Sequence, residues 1–492
     1  MINYISTRGN GGSKRGAEAI IQGIASDKGL FVPDGLPSLT FRPEQKIGSD
    51  YKYVAFHVMR GFLPDFTDEE LERCISGAYE NTFEAPGVAP LVKTEKAYFL
   101  ELFHGRTAAF KDLALSIMPY LMITAMVKEN EQKRVAILTA TSGDTGKAAL
   151  EGFSDVPGTE IIVFYPKDGV SQVQERQMVT QTGKNTHVFA IHGNFDDAQT
   201  GVKRIFDDEA FAARLAAKGY RLSSANSINI GRLIPQVVYY VYAYIKMLEG
   251  GGVEPGAPIN IVVPTGNFGN ILAAYYAREM GIPVNRFICA SNRNNVLTEF
   301  INTGVYDINR SFYMTNSPSM DILISSNLER LLYHLSGGDC AGVAGMMASL
   351  ASQGRYEAGA AIMEGMKAFH GGYADVAETN AAIGRLYNEE KYLVDTHTAV
   401  AYKVYEDYRE ESGDTAPTLI AATASPYKFA DSVAASIGLA AGDDGFANIK
   451  AVNAATGVRI PDSLRSLEGK ELRHKGTVTV DGMMDAVLAS LE

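Results

Sequence analysis

Cysteine is scarce in this sequence of 492 residues, and long apolar runs and an excess of positive charge are missing. The three cysteines, Cys74, Cys289 and Cys340, lie far apart and form no CxxC pair, which argues against a disulfide framework and a zinc cluster. No segment offers the ~18 continuous apolar residues of a membrane span, and the first residues lack a signal-peptide core. We therefore expect a cytoplasmic protein with free thiols, no metal site and no membrane partner.

Acidic residues outnumber basic ones, 57 to 45, so the formal net charge is -12. This balance argues against a nucleic-acid partner, although a local site for an anionic metabolite stays possible. The 46% content of hydrophobic residues is typical of a well-buried chain, and the length suggests roughly three domains.

From residue 97 onward, predicted strands and helices alternate along the chain. Short apolar runs at 135–138, 161–165, 187–191, 259–263, 286–290 and 418–422 predict strands. Helical patterns separate them: two begin near Lys147 and near Asp196, and two cover residues 172–182 and 230–248. Alternation of this kind predicts parallel sheets covered by helices on both faces. The predicted fold class is therefore α/β, with two three-layer parallel-sheet units that flank a cleft.

Shifts in composition and pattern divide the chain further. The predicted parts are an N-terminal cap domain at 1–95, a first α/β unit at 96–250, a second unit at 251–320, a helical insertion at 321–410, and a return to the second unit at 411–492. The break at 250 rests on three consecutive glycines that end the long apolar helix.

Lys111 lies where a predicted strand at 97–103 passes into a helix whose apolar positions recur every four residues. Burial and the positive end of the helix dipole would both favour the neutral amine of such a lysine. A neutral amine is what carbonyl chemistry requires. The alternative is a solvated surface charge, which is the usual state of a lysine at a helix start.

The loop from Pro264 to Asn270 also joins a predicted strand to a predicted helix, which we expect to begin near Ile271. Gly266 and Gly269 would let backbone N–H groups approach a phosphate, and the helix dipole would add to the attraction. Two glycines do not make the GxGxxG pattern of a dinucleotide site. The alternative is a tight loop whose glycines serve only close packing.

The loop from Thr139 to Lys147 stands in the same position after an earlier strand. Ser142, Thr145 and neighbouring amides could hold a carboxylate or a phosphate. A nucleotide-binding P-loop is excluded, because Thr141 replaces its first glycine and Ala148 replaces the residue that binds magnesium.

Thr423 ends a third strand and could donate a hydrogen bond to a ring nitrogen; alone it would be an ordinary helix N-cap.

Taken together and in this order, these segments resemble the threonine synthase family. They are Ala109 to Asp112, Thr141 to Gly146, Gly266 to Asn270 and Thr423 to Pro426, with further similar segments at 4–9, 223–229, 317–322 and 395–399. The resemblance implies a pyridoxal 5'-phosphate enzyme of fold type II, with the cofactor in the cleft. It also implies conversion of O-phospho-L-homoserine and water to L-threonine and phosphate, by a monomer or homodimer.

The resemblance assigns roles residue by residue. Lys111 would hold the cofactor as a Schiff base and relay protons at Cα and Cβ of the substrate. Cofactor contacts would come from Gly266, Asn267, Phe268, Gly269, Asn270, Thr423 and Asp144. Substrate contacts would come from Ser142, Gly143 and Thr145, with Arg8 or Lys147 as a source of positive charge. Asp144 has a simpler alternative as a helix cap, and His104 and His397 are left outside the predicted site.

Two other functions remain open at this stage. The first is a different lyase on the same fold, such as a serine/threonine dehydratase or a cysteine synthase, which would share Lys111 and both glycine loops. The second is a binding protein without catalysis, which would be expected to lose the lysine that this chain retains.

Overall fold

A computed structural model describes residues 2–491. Its N-terminal elements are β1 (Tyr4–Ser6), α1 (Gly16–Gln22), β2 (Phe31–Pro33), a 3-10 helix (Pro43–Lys46), α2 (Tyr51–Phe62) and α3 (Asp68–Tyr79). Thr67 begins α3 with a reciprocal capping pair: its hydroxyl accepts a hydrogen bond from the Glu70 amide, and the Glu70 carboxylate accepts one from the Thr67 amide. The apolar face of α2 packs against the later long helix at Ile230–Glu249.

The next elements build the first part of the α/β region. They are β3 (Leu91–Lys93), β4 (Tyr98–Glu101), α4 (Asp112–Leu115), α5 (Met118–Lys128), β5 (Arg134–Ala140), α6 (Asp144–Phe153), β6 (Thr159–Pro166), α7 (Gln172–Val179), β7 (Thr186–Ile191), α8 (Phe195–Asp207), α9 (Glu209–Ala217), β8 (Tyr220–Ser224) and α10 (Ile230–Glu249). All eight residues of β6 are buried, as expected of a strand covered on both faces.

The remaining elements complete the chain. They are β9 (Ile259–Pro264), α11 (Gly269–Glu279), β10 (Val284–Ser291), α12 (Val296–Thr303), β11 (Val305–Asp307), a 3-10 helix (Pro318–Met320), α13 (Leu328–Leu335), α14 (Cys340–Gln353), β12 (Arg355–Glu357), α15 (Ala360–Met366), β13 (Phe369–Tyr373), α16 (Val376–Glu390), α17 (Thr396–Ser412), β14 (Thr418–Ala422), a 3-10 helix (Pro426–Phe429), α18 (Ala430–Ser436), α19 (Gly445–Thr456), α20 (Asp462–Arg465), β15 (Gly476–Val478) and α21 (Met483–Ser490).

Two sheets form the framework. The five-stranded sheet has the order β15-β7-β6-β5-β8 and is parallel throughout. The six-stranded sheet has the order β13-β10-β9-β14-β4-β3 and is parallel except for β3. The predicted α/β class with two parallel units is thus confirmed. None of the helices between residues 2 and 491 is both long and apolar enough to cross a membrane.

Several assignments made from the sequence differ from the structure. β4 pairs with β14, so the strand before Lys111 belongs to the six-stranded sheet and not to the first unit, and β15 pairs with β7 in the first unit and not the second. Strand β8 was missed, and the section at 321–410 includes β12 and β13 among its helices. Apolar runs predict that a strand is buried but not which sheet buries it. The exact domain boundaries stay a prediction.

The helix expected after Lys111 is two helices. α4 ends at Leu115 and α5 begins at Met118, with Pro119 in its first turn. Proline is well accommodated at a helix start and unfavourable in a helix interior, which explains the break. The four-residue apolar spacing continues across the break because both pieces face the same core.

Arg330 in α13 connects three distant parts of the chain and is fully buried. Its guanidinium donates to the carbonyl oxygens of Phe31 at 2.9 Å, Ser227 at 3.2 Å and Ile228 at 2.6 Å, and also to the side-chain oxygen of Asn327. The planar group with five donors suits this arrangement, which a lysine could not reproduce. The N-terminal region is thereby fixed to the loop before α10.

We expect Arg330→Lys to lower the free energy of unfolding by about 2–4 kcal/mol, because buried carbonyl groups would lose their donors. Urea unfolding followed by far-ultraviolet circular dichroism measures the change. Arg355→Lys, at an exposed position, is the control and should stay within about 0.5 kcal/mol of the parent. Equal stability of the two variants would contradict the connecting role.

Candidate active site

One cavity lies where the loops after β5, β9 and β14 meet the segment before α4. Of the eleven residues predicted for the site, ten line it, namely Lys111, Ser142, Asp144, Thr145, Gly266, Asn267, Phe268, Gly269, Asn270 and Thr423. Gly143 lies beside them and shapes the loop. Carboxyl ends of parallel strands commonly create such a cleft, because their loops leave the sheet on the same side.

Lys111 is brought to the cavity by contacts between two strand ends. The Phe110 amide donates to the Thr423 carbonyl at 2.8 Å, and the Ser425 amide donates to the Ala108 carbonyl at 3.0 Å. Ala108 has a φ of 56°, a left-handed conformation that turns the chain toward the cavity. The pairing of β4 with β14 therefore decides where the lysine lies.

The Lys111 amine is buried, with the residue only 7% exposed. Its Nζ donates to Ser319 Oγ at 3.3 Å and lies 3.9 Å from Asp144 Oδ2. Burial lowers the pKa of Lys111 to about 8; Asp144 opposes this shift, whereas the cations Arg232 and Lys428 add to it. The solvated-surface alternative is therefore wrong, and a neutral amine is accessible near physiological pH.

Asp144 is the first residue of α6, which begins three residues earlier than predicted. Its Oδ1 accepts from Lys428 Nζ at 2.6 Å and from Gln174 Nε2 at 2.8 Å. Burial alone would raise the pKa of Asp144, but Lys428 and Lys111 hold it well below its usual range. Within residues 2–491 the Asp144 carboxylate accepts no hydrogen bond from a backbone amide of α6, so the capping alternative is not supported.

The loop between β5 and α6 is organised by the hydroxyl of Thr141. That oxygen accepts from the amides of Gly143 at 2.9 Å and Gly146 at 2.8 Å. Gly143 has a φ of 126°, and a Cβ on it would lie 2.6 Å from the side chain of Gln174. This position requires glycine, which leaves Ser142 and Thr145 to face the cavity.

The loop after β9 ends in a helix start. Phe268 has a φ of 61° and α11 begins at Gly269, two residues before the predicted start. The Asn267 carbonyl accepts from the amide and the side chain of Asn327, at 3.1 and 2.9 Å. Asn267 Oδ1 and Asn270 Nδ2 are buried and have no hydrogen-bond partner within residues 2–491. Buried polar atoms without partners are rare, and here they point to a ligand.

The two glycines of this loop have different reasons to be glycine. A Cβ on Gly266 would lie 2.5 Å from the Ser319 carbonyl oxygen, so this glycine is required by packing between two loops. A Cβ on Gly269 would have only ordinary contacts, the nearest at 3.5 Å. The packing alternative therefore holds for Gly266 and leaves Gly269 as the probe of anion binding.

Thr423 lines the cavity at the end of β14 and is 5% exposed. Its amide donates to Thr398 Oγ1 at 3.3 Å. The helix-cap alternative is wrong for Thr423, since Ser425 caps the following 3-10 helix by accepting from the Tyr427 amide.

Sequence reasoning missed Arg232, which is 4% exposed and lines the cavity from the first turn of α10. Its Nη1 donates to the Ala225 carbonyl at 2.8 Å, and its Nε has no hydrogen-bond partner within residues 2–491. Asn226 and Ser227 line the same wall. A charged residue in the first turn of a helix whose other charges lie only in its last turn was the signal that could have identified it.

The two basic residues suggested from the sequence lie elsewhere. Arg8 forms a paired contact with Glu329, and Lys147 bonds Glu151 at 2.9 Å and Gln181 at 2.7 Å. Neither lines the cavity. Lys147 follows the predicted substrate loop in sequence, whereas Arg8 belongs to the segment at 4–9 that resembles the family.

His397, left outside the predicted site, does line the cavity. Its Nδ1 lies 2.7 Å from Asp395 Oδ2, and its Nε2 accepts from the Ser319 amide at 3.2 Å. It therefore holds the segment that carries the Ser319 hydroxyl beside Lys111. His104 is not among the lining residues and pairs with Glu101 at 2.7 Å.

Three family models match the chain in sequence order. The model described as threonine synthase N terminus matches residues 3–79, the pyridoxal-phosphate dependent enzyme model matches 79–423, and the threonine synthase C-terminal model matches 398–480. The middle match covers more than half of the chain.

Individual proteins give the same result. Threonine synthase-like 1 from Homo sapiens is 40% identical over 430 residues, which are 85% of this chain and 57% of that protein, so the chain spans little more than half of that relative. Threonine synthase from Pseudomonas aeruginosa is 38% identical over 439 residues, 88% of this chain and 90% of that protein. The crystal structure of PLP-bound threonine synthase from Brucella melitensis is 35% identical, with a TM-score of 0.87 over 100% of both chains. The resemblance inferred from the sequence is confirmed.

The lowered pKa of Lys111 predicts its reactivity. In protein freed of carbonyl compounds, labelling of Lys111 by formaldehyde and borohydride should rise with a midpoint near pH 8, because the amine is protonated below that pH and neutral above it. Peptide mass spectrometry measures the labelling at each pH. Exposed lysines, whose ordinary pKa is about 10.4, are the internal control. A midpoint shared with those lysines would contradict the effect of burial.

Proposed function

This chain belongs to the threonine synthase family, and on that premise we propose that it uses pyridoxal 5'-phosphate to convert O-phospho-L-homoserine and water to L-threonine and phosphate. The observation that carries the proposal is the single cavity in which Lys111 faces the Gly266 to Asn270 loop, the Ser142 to Thr145 loop and Thr423. A dehydratase or cysteine-synthase-like activity would need the same lysine, so the substrate decides between them.

The residues of the cavity fit this cofactor. A buried primary amine is available to bind an aldehyde, and the unpartnered Asn270 Nδ2 lies at a helix start that favours a phosphate. The Thr423 hydroxyl would face the ring nitrogen without imposing a charge on it. When bound, the cofactor supplies a conjugated ring that accepts the electron pair released at the substrate Cα.

Lys111 is the residue that would move protons. With the substrate in place, its amine would take one proton from Cα and one from Cβ as phosphate leaves Cγ, and would return one proton to Cγ and one to Cα as water adds at Cβ. A group that exchanges protons in both directions works best when its pKa is near the working pH, which burial provides here. Ser319 Oγ, at 3.3 Å, would orient the amine.

The proposed substrate carries two anionic groups, a carboxylate and a phosphate, and these need contacts separate from those of the cofactor's phosphate. Arg232 is the buried cation of the cavity wall with an unused donor, and burial lowers its pKa only to about 10, so it stays charged. We assign the substrate phosphate to Arg232 with Asn226 and Ser227. The hydroxyls of Ser142 and Thr145 would then hold the carboxylate at the start of α6.

We also propose a cytoplasmic location and a monomeric or homodimeric state. Cys74 and Cys289 are buried free thiols, which suit a reducing compartment. Cell fractionation and light scattering on the purified chain test the two statements.

Gly269→Val should weaken binding of pyridoxal 5'-phosphate by about 10-fold or more, since bulk at the first amides of α11 would hinder approach of the phosphate. Binding of pyridoxal, which lacks the phosphate, should hardly change. Spectroscopic titration of cofactor-free protein measures both affinities. Gly345→Val in α14, where a Cβ would meet nothing within 4 Å, is the control. Equal weakening for both ligands would contradict the loop assignment.

The function itself is tested with O-phospho-L-homoserine, which should release phosphate and threonine in equal amounts while L-homoserine is nearly inert. Arg232→Met should lower kcat/KM by about 100-fold, because removal of a buried cation–anion contact costs about 2–4 kcal/mol. Absorbance of the bound cofactor should remain.

Arg214→Met, at an exposed position of α9, is the matched control and should behave as the parent. Rapid deamination of serine or threonine with no turnover of phosphohomoserine would replace the proposal by the dehydratase alternative. Binding of phosphohomoserine without turnover would favour the binding-protein alternative.

A further inference from the structure

Lys428 is a second buried lysine behind the cavity. It lies in the 3-10 helix after β14, and its side chain is fully buried. Its Nζ contacts Asp144 Oδ1 at 2.6 Å and donates to the Thr107 carbonyl at 3.0 Å. It does not line the cavity, so it is placed to act through Asp144 and not on a ligand directly.

The hydrogen bonds of Asp144 are divided unequally between its two oxygens. Oδ1 accepts from both Lys428 and Gln174, whereas Oδ2 faces Lys111 from 3.9 Å. That separation is too long for a hydrogen bond, so the 3.3 Å contact with Ser319 Oγ is the one side-chain hydrogen bond of the Lys111 amine within residues 2–491. The hydrogen bonds to Oδ1 thereby hold the carboxylate beyond hydrogen-bond distance of the lysine that has to react.

We propose that Lys428 is a positioning residue for Lys111: its ammonium group neutralises and orients Asp144, and so prevents Asp144 from forming a tight ion pair with the reactive amine. The meaning of this arrangement for catalysis rests on the proposed function. The arrangement itself belongs to the chain and can be measured in its absence.

The electrostatics of the cavity support the proposal. The charged groups that act on Lys111 are Asp144, Asp112, Arg232 and Lys428. Asp112 is engaged by Thr107, accepting from its amide at 2.8 Å and its hydroxyl at 2.6 Å, and burial raises the pKa of Asp112 to about 6. Asp144 is therefore the carboxylate that faces the amine. Without Lys428, Asp144 would pair with Lys111, and one repelling cation would be lost as well. Both changes would stabilise the protonated amine.

A purely structural role for Lys428 makes a different prediction. A buried ion pair that only fixes the loop would change stability on removal, without a directed change in the protonation of Lys111. The decisive measurement is therefore the labelling midpoint of Lys111 in cofactor-free protein, by formaldehyde and borohydride with peptide mass spectrometry.

In Lys428→Gln, the amide can still donate to Asp144 and Thr107 but carries no charge. We expect the midpoint to rise by about one pH unit or more, which is about a 10-fold slower labelling of Lys111 at pH 7. Lys428→Met should give the same direction. The neutral double variant Lys428→Gln with Asp144→Asn removes both charges, leaves none unpaired, and should return the midpoint to within about half a unit of the parent.

Lys450→Met in the neighbouring α19 is the control, since that lysine is exposed and pairs with Glu468 at the surface. An unchanged midpoint in folded Lys428→Gln, or a double variant that stays as high as the single variant, would overturn the proposal. Failure of the phosphohomoserine assay would not affect these midpoints, so the two proposals fail independently.

Discussion

The candidate site depends on one constraint: its reactive lysine amine must be buried, must have a pKa near neutral pH, and must not form a tight ion pair. Burial lowers the pKa of such an amine, whereas a tight ion pair with a nearby carboxylate would raise that pKa again. Asp144 is that carboxylate: its Oδ1 is engaged by Lys428 and Gln174, and its Oδ2 stays 3.9 Å from the Lys111 amine. Lys111 is left with a single hydroxyl contact to Ser319.

The parallel pairing of strands brings these groups together. β4 lies beside β14, so the segment before α4 and the turn after β14 meet at one edge of the sheet, and Lys111, Thr423 and Lys428 all come from that meeting. The five-stranded sheet contributes the loop with Asp144 from the opposite side. A cleft between two sheets is therefore where a cofactor and a substrate can be held by different units.

Long-range contacts fix the loops that the sheets only bring near one another. Arg330 joins the N-terminal region to the wall that carries Ser227, and through Asn327 to the loop of Asn267. His397 accepts a hydrogen bond from the Ser319 amide, and Gly266 packs against the Ser319 carbonyl. The residues that would bind anions in the cavity are thus held in place by α13, which does not line the cavity, and by α17, which contributes only His397 to the lining.

The sequence by itself determined the α/β class, seven of the eleven strands of the two large sheets, and the loops that carry the predicted site residues. Runs of apolar residues report burial, and glycines and hydroxyl residues at strand ends report sharp turns, and both signals are local. Only the tertiary structure decided that β4 and β15 change sheets, that Arg232 replaces Arg8 and Lys147 as the cation of the cavity, and that Asp144 binds Lys428 and does not cap α6. These partners are separated by up to about 320 residues, as Tyr98 is from Leu419, and no periodic pattern encodes such pairs; they exist because folding places two strand ends side by side.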